Sequence, residues 1–117
     1  FIVTALPATV ETKHMIDASV FKKMKKTAVL INIGRGALVD EKALIDALNN
    51  EEIAGAGLDV VEEEPIKADN PLLRLPNVFV TPHVAMISQE AMDNVALTAA
   101  EDIVRVLTGK QAMFPVK

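Results

Sequence analysis

Arg35 stands between Gly34 and Gly36, directly behind an apolar run. Glycines let a backbone approach a ligand closely, and a guanidinium offers a planar fork that meets a carboxylate with two parallel hydrogen bonds. Arg35 is therefore either a carboxylate ligand or an ion-paired surface arginine. His83 follows Thr81-Pro82 behind another apolar run. Imidazole, with an ordinary pKa of about 6.5, both gives and takes protons near neutrality. The plainer alternative is a hydrogen-bonded structural histidine at a loop start. Glu64 closes the triplet Glu62-Glu63-Glu64 ahead of Pro65. It is either solvated loop surface or a carboxylate beside His83, where it would favour imidazolium and orient the ring. Asp59 ends an apolar segment. A carboxylate there either accepts N–H groups of a ligand or caps the loop that follows.

Other chemistries find no support. His14, between Lys13 and Met15, reads as surface. No spacing of His, Asp or Glu resembles a metal site. Neither a nucleophile elbow nor a Walker loop is present, and Gly34-Arg35-Gly36 is too short for a dinucleotide fingerprint.

The elements that must position these residues alternate between strand and helix. Apolar runs predict strands at Phe1–Leu6, Ala28–Ile33, Ile53–Val61 and Val78–Thr81. Asp17 caps a first helix, with Val20, Phe21 and Met24 at helical spacing. Asp40 caps a second, with Ala43, Leu44, Ala47 and Leu48 on one face and Asn49-Asn50 at its end. Ser88 caps a long helix with Ala91, Val95, Ala99, Ile103 and Val106 or Leu107 facing inward, stopped by Gly109. Residues 62–77 hold Pro65, Pro71 and Pro76 without a helical period, and long irregular loops in compact domains are often functional. Alternating elements imply βαβ units and a parallel sheet, an α/β fold. Such sheets bind ligands at the carboxyl ends of their strands. Leu6-Pro7, Gly34-Arg35-Gly36, Asp59 and Pro82-His83 all fall there.

Composition agrees. The 117 residues suit one domain, and half are hydrophobic with only 3% aromatic. Ala, Val, Ile and Leu dominate, as in strands covered on both faces. The net charge of −4 gives no overall attraction to nucleic acid or anionic membrane. The one basic cluster, Lys22, Lys23, Lys25 and Lys26, is either a phosphate patch or a solvated helix face. The absence of cysteine excludes disulfides and thiolate chemistry. No run approaches transmembrane length, and no signal peptide is visible. The opening strand without an initial Met suggests a piece of a longer chain.

Taken together, three stretches resemble the D-isomer-specific 2-hydroxyacid dehydrogenases. The first runs from Met24-Lys25-Lys26-Thr27-Ala28 through Asn32-Ile33-Gly34-Arg35-Gly36 to Val39-Asp40-Glu41. The second runs from Ile53-Ala54-Gly55-Ala56-Gly57-Leu58-Asp59-Val60 to Glu64-Pro65. The third comprises Asn70-Pro71-Leu72, Leu75-Pro76-Asn77-Val78 and Thr81-Pro82-His83-Val84-Ala85. Several motifs in one order over nearly the whole chain make the resemblance specific. It implies the second half of a Rossmann-like, doubly wound parallel sheet. Residues 1–117 would be the C-terminal portion of an NAD(P)-binding domain, with the final helix at 88–108 leading back toward a substrate domain.

The resemblance also implies roles. Arg35 would bind the carboxylate and carbonyl oxygen of a 2-ketoacid or 2-hydroxyacid. His83 would be the general acid in reduction and the base in reverse, with Glu64 holding it protonated. Asp59 would contact the nicotinamide end of NAD or NADP. Leu6, Pro7 and Thr12 would line the cofactor, Ile33 and Gly34 would lie beside the nicotinamide ring, and Arg35, His83 and Ala85 would complete its surroundings. A glutamate at position 64 argues against formate dehydrogenase, which has glutamine in the matching role. The glyoxylate or hydroxypyruvate reductase branch fits Asn32 to Gly36 best. The family further implies a homodimer; a cytoplasmic location is expected, and the acidic charge argues against nucleic-acid and membrane partners.

Two departures stand out. Met86 replaces the small residue usual three positions after the histidine, where a longer side chain narrows the pocket. The G-x-G-x-x-G loop is absent, and with it the helix N-terminus that holds pyrophosphate and the residue that separates NAD from NADP. These 117 residues alone are therefore expected to be catalytically inert. Two other readings compete: an NAD(H)-sensing corepressor-like binding module, and a structural or dimerisation fragment.

Overall fold

The structure, a computed structural model, describes residues 1–115. The chain divides into two compact units, Phe1–Ala85 and the segment from Met86 onward. The first unit holds four strands: β1 (Ile2–Thr4), β2 (Val29–Asn32), β3 (Gly55–Leu58) and β4 (Val78–Val80). They form one parallel sheet in the order β1-β2-β3-β4. Parallel neighbours need a crossover, and two are helical: α1 (Ala18–Phe21) joins β1 to β2, and α2 (Glu41–Asn49) joins β2 to β3.

Every strand is shorter than its apolar run. Strand character ends where ladder pairing ends, whereas apolar residues continue into the core; Ile53 and Val61 flank β3 and are both buried. The loop between β3 and β4 departs from expectation in one respect. It contains a 3₁₀ turn, Pro71–Arg74, capped by Asn70, whose Oδ1 accepts from Leu72 N–H at 2.9 Å. A single turn is too short to show a period in sequence.

The helices start where the capping residues place them. Asp17 accepts from the N–H groups of Ser19 and Val20 at 2.9 and 3.1 Å, and Asp40 from Ala43 N–H at 2.9 Å. These bonds satisfy amides that an α-helix leaves without partners. α1 is only one turn, but it buries Phe21 completely. The lysines behind it, Lys22, Lys23, Lys25 and Lys26, are exposed.

The in-register rows Leu30–Ala56 and Asn32–Leu58 put these residues on one sheet face. Leu30, Ala56 and Leu58 join Phe21, Ala43, Leu44, Ala47 and Leu48 in one core. Leu38, from the 3₁₀ turn Gly36–Leu38, belongs to it too, as do Ile16, Val39, Ile53, Val61 and Leu72. Each fully buried aliphatic or aromatic side chain here contributes about 1.5–3 kcal/mol. On the opposite face the row Val3–Ile31–Gly57–Phe79 has Val3 57% and Phe79 71% exposed.

The second unit is built on α3 (Gln89–Leu107), capped by Ser88, whose Oγ accepts from Ala91 N–H at 3.1 Å. Gly109 follows it at φ +77°. The inward stripe expected from Ala91, Val95, Ala99, Ile103, Val106 and Leu107 is not found: no residue of α3 is buried. Periodicity shows which residues can share a face, but burial also needs a partner for that face. Among the described residues no helix is long and apolar enough to cross a membrane.

Candidate active site at the carboxyl ends of the strands

Each strand of the sheet delivers a different group to the same edge. At the end of β2, Asn32 is 1% exposed in an otherwise apolar strand. A buried amide must be satisfied, and this one is. Its Oδ1 accepts from Thr4 Oγ1 at 2.8 Å and Gly34 N–H at 3.1 Å, and its Nδ2 donates to Arg35 O at 3.0 Å. Asn32 thereby ties β1 to β2 and shapes the turn that carries Arg35. Arg35 is exposed, and its Nη1 donates to Gly34 O at 2.7 Å. Gly36 rests on the next strand's exit: a Cβ there would lie 1.9 Å from Val61 O. Only glycine allows that approach.

At the end of β3, Asp59 is 6% exposed. Its Oδ1 accepts from Thr81 Oγ1 and from Val84 N–H at 2.9 Å, and its Oδ2 accepts from Ala85 N–H at 2.9 Å. Asp59 O also accepts from His83 N–H at 2.9 Å. Burial pushes the Asp59 carboxyl pKa up, but the Thr81 hydroxyl, the Ala85 and Val84 amides and the nearby His83 outweigh it, so the pKa falls below the ordinary 3.8. Within the chain, these are the bonds of a loop cap.

That cap holds His83 in an unusual conformation, φ +55°. Few non-glycine residues adopt the left-handed region, and they do so where surroundings enforce it. Here the Asp59 carbonyl and carboxylate grip the chain at residues 81, 83, 84 and 85. His83 Nδ1 then lies 2.8 Å from Glu64 Oε2. Glu64 Oε1 accepts from Val61 N–H at 3.2 Å, so the carboxylate is held on both oxygens. An ionised carboxylate only accepts, so this contact puts a proton on Nδ1. His83 and Glu64 remain half-exposed, at 51% and 37% of their side chains. They border a cleft of about 510 Å³ whose apolar wall includes Ile66, Leu73 and Val80. Small-molecule sites span roughly 300–1,000 Å³.

The residues named from the sequence therefore separate into groups. Asp59, Glu64, His83 and Ala85 are linked by direct hydrogen bonds. Arg35 lies on the neighbouring strand exit, with no hydrogen bond to His83 or Glu64 among the described residues. Leu6 and Ile33 sit at the ends of β1 and β2, each 46% exposed. A Cβ at Gly34 would lie 2.8 Å from Leu6 O, so the two strand exits close on each other there. Thr12 is turned into its own loop: its Oγ1 donates to Pro7 O at 2.9 Å and accepts from Thr9 N–H at 2.7 Å. His14 is at the surface, but it is paired with Glu62. Among the described residues no cluster of His, Asp or Glu could hold a metal ion.

Two positioning residues escaped the sequence reading, Asn32 and Thr81. Asn32 had a visible signal, an amide inside an apolar strand. Thr81 stood out only as part of the Thr81-Pro82-His83 motif, because its partner Asp59 is 22 residues away.

Comparison with known proteins meets this geometry. The profile of the "D-isomer specific 2-hydroxyacid dehydrogenase, NAD binding domain" matches residues 1–85. The chain belongs to the D-isomer-specific 2-hydroxyacid dehydrogenase family. Glyoxylate/hydroxypyruvate reductase B of Enterobacter sp. (strain 638) is 48% identical over 109 residues, which are 93% of this chain and 34% of that protein. The same enzyme of Cronobacter sakazakii is 49% identical over an equal span. The chain thus spans about a third, 34%, of the length of these curated relatives.

Among solved structures, an NADPH-dependent glyoxylate/hydroxypyruvate reductase from Sinorhizobium meliloti, in complex with NADP and malonate, superposes with a TM-score of 0.89. It is 38% identical, over 97% of this chain and 35% of that one. D-lactate dehydrogenase with NAD+ from Lactobacillus jensenii gives 0.87 at 37% identity, over 99% of this chain and 39% of that one. The family's nucleotide-binding sheet is a Rossmann-like α/β fold, which the four parallel strands match.

Proposed function

We propose that the protein carrying this chain is an NAD(P)H-dependent oxidoreductase that interconverts short 2-ketoacids and D-2-hydroxyacids, with glyoxylate and hydroxypyruvate as its preferred ketoacids. The observation that carries this reading is the 2.8 Å pair between His83 Nδ1 and Glu64 Oε2 at the carboxyl edge of the sheet. With Nδ1 engaged, Nε2 is the nitrogen left to exchange a proton. In reduction, His83 gives that proton to the ketone oxygen; in oxidation it removes it from the hydroxyl. Glu64, by accepting from Nδ1, orients the ring so that Nε2 faces the substrate side. Arg35 binds the substrate carboxylate and, with protonated His83, stabilises negative charge developing on the carbonyl oxygen. A cationic donor pair suits this reaction because the substrate is an anion that passes through an alkoxide-like state.

The residues present fit the nicotinamide end of the cofactor. Leu6 and Ile33 offer exposed apolar surface at adjoining strand exits, and Gly34 lets the backbone of those exits close. Pro7 and Ala85 extend this wall, while Thr12 contributes by fixing the Pro7 loop. Asp59 acts by holding the 81–85 turn. When bound, the nicotinamide supplies the hydride. In this reading residues 1–85 form the cofactor-binding part, and α3 leads back toward a substrate-binding domain of a cytoplasmic homodimer.

The test is consumption of NADH or NADPH by the intact protein with glyoxylate or hydroxypyruvate. His83→Asn is the informative variant, because asparagine tolerates the left-handed backbone of this position. Loss of an acid–base group lowers turnover by roughly 10²–10⁴-fold. An unchanged rate in His83→Asn, or no turnover of any 2-ketoacid by the unaltered protein, overturns the proposal.

A further inference from the structure

One side chain outside the cleft grips the loop that carries Glu64 at two points, one on either side of it. Glu41, in the first turn of α2, accepts from Glu62 N–H at 3.1 Å through Oε2 and from Asn70 Nδ2 at 2.8 Å through Oε1. Asn70 cannot reverse its amide, because its Oδ1 already accepts from Leu72 N–H at 2.9 Å. Both partners of Glu41 are therefore obligate donors, and only a group with two acceptor oxygens serves them together.

The base of this clamp is rigid. α2 is capped by Asp40 and buries Ala43, Leu44, Ala47 and Leu48. The held segment has no such frame of its own: Glu62, Glu63, Glu64 and Pro65 are all exposed and lie outside helix and strand. Glu62 is also held from the other side, where its carboxylate pairs with His14 Nε2. His14 is itself fixed, since its N–H donates to Ala37 O at 2.8 Å.

Resting on the reading of His83 and Glu64 given above, we propose that Glu41 is a positioning residue for the reaction: its carboxylate clamps residues 62 and 70 so that Glu64 meets the His83 ring. Glu41 touches neither substrate nor cofactor and acts through Glu64. Without the clamp, the exposed segment gains conformations in which Glu64 leaves the imidazole, and the ring loses its partner.

The experiment uses the intact protein with ring-¹⁵N histidine, assigned through His83→Asn. The hydrogen-bonded Nδ1 proton of His83 reports the pair directly. In Glu41→Gln one acceptor becomes a donor that faces either Glu62 N–H or the Asn70 amide. The Nδ1 signal is expected to disappear, and kcat to fall at least roughly 10-fold, a part of what acid–base catalysis contributes. KM for the ketoacid stays within about 2-fold, since a positioning residue that acts on proton transfer leaves uniform binding intact. Asn70→Asp alone sets two carboxylates against each other and is expected to lose the signal too.

Combining Glu41→Gln with Asn70→Asp restores every bond. The introduced glutamine accepts from Glu62 N–H and donates to the introduced aspartate, which still accepts from Leu72 N–H. This double variant is expected to regain both signal and kcat. Persistence of the signal in Glu41→Gln overturns the proposal, as does a double variant no better than Asn70→Asp. The second comparison decides even if Glu41→Gln does not fold. A signal that follows these expectations in a protein without turnover upholds the clamp and overturns the dehydrogenase reading instead.

Discussion

Replacing Asp59 with asparagine changes few atoms and removes the charge on which the His83 turn depends. The carboxylate serves three donors: the Thr81 hydroxyl and the Val84 and Ala85 amides. An amide oxygen placed at the Oδ1 position still serves Thr81 and Val84. The new NH₂ then faces Ala85 N–H, donor against donor, at a site that is 6% exposed. Leaving one buried donor without a partner costs about 1–3 kcal/mol, and the remaining bonds lose their charge assistance, which roughly halves them. The sum is about 2–4 kcal/mol, a large share of the roughly 6–17 kcal/mol open to a chain of 117 residues. With a urea slope of about 2 kcal/mol/M, the unfolding midpoint should fall by about 1–2 M.

The acid limb gives an independent check. The folded pKa of Asp59 is depressed, so its contribution is fully present above the ordinary value of 3.8 and is lost as pH falls through the folded value. The unaltered protein should therefore lose part of its stability below about pH 4, and Asp59→Asn should lose correspondingly less over the same range. Urea unfolding monitored by circular dichroism at a series of pH values measures both effects. A midpoint shifted by less than about 0.3 M, with the acid limb unchanged, would refute the assignment of Asp59 as the anchor of the 81–85 turn.

Two further substitutions probe the arginine turn. Arg35→Lys keeps the charge but loses the planar fork, so kcat/KM for 2-ketoacids should fall about 10- to 100-fold, as expected for losing a charged hydrogen bond of about 1.5–3 kcal/mol. Steady-state kinetics check this, and a change under 2-fold would place Arg35 outside the carboxylate site. Gly36→Ala would drive a methyl group to 1.9 Å from Val61 O, which is backbone and has no rotamer to escape into. The 61–64 segment must then move, costing about 1–3 kcal/mol or more by overpacking and separating Glu64 from His83. A variant with unchanged thermal midpoint and unchanged turnover would contradict the packing at this contact.

Much of the fold was legible in the chain itself. Asp17, Asp40 and Ser88 mark helix starts because a short acceptor side chain satisfies local amides, within three residues of the cap. The apolar runs mark the strands because sheet interiors are written locally, and the alternation of the two elements implies the parallel order. The strand ends that carry Leu6, Arg35, Asp59 and His83 follow from the same reasoning, and the family motifs name those positions. Helix α3 shows where local information stops. Its apolar spacing is present in the sequence, yet none of its residues is buried, because burial belongs to a pair of surfaces.

The tertiary structure decided how those side chains are used, since their partners lie far apart in sequence. Asp59 meets the 81–85 turn across more than 20 residues, and Glu64 meets His83 across 19. Glu41 reaches Asn70 across 29. Nothing in local composition separates Glu64 from Glu62 or Glu63 without the family motif; the fold separates them by giving Glu62 to His14 and Glu64 to His83. Residue types and spacing thus determined which chemistry was available and on which edge of the sheet. Chain crossing determined which carboxylate caps a loop, which pairs with the imidazole and which clamps the segment between them, because hydrogen bonds act over about 3 Å and only folding brings distant donors and acceptors that close.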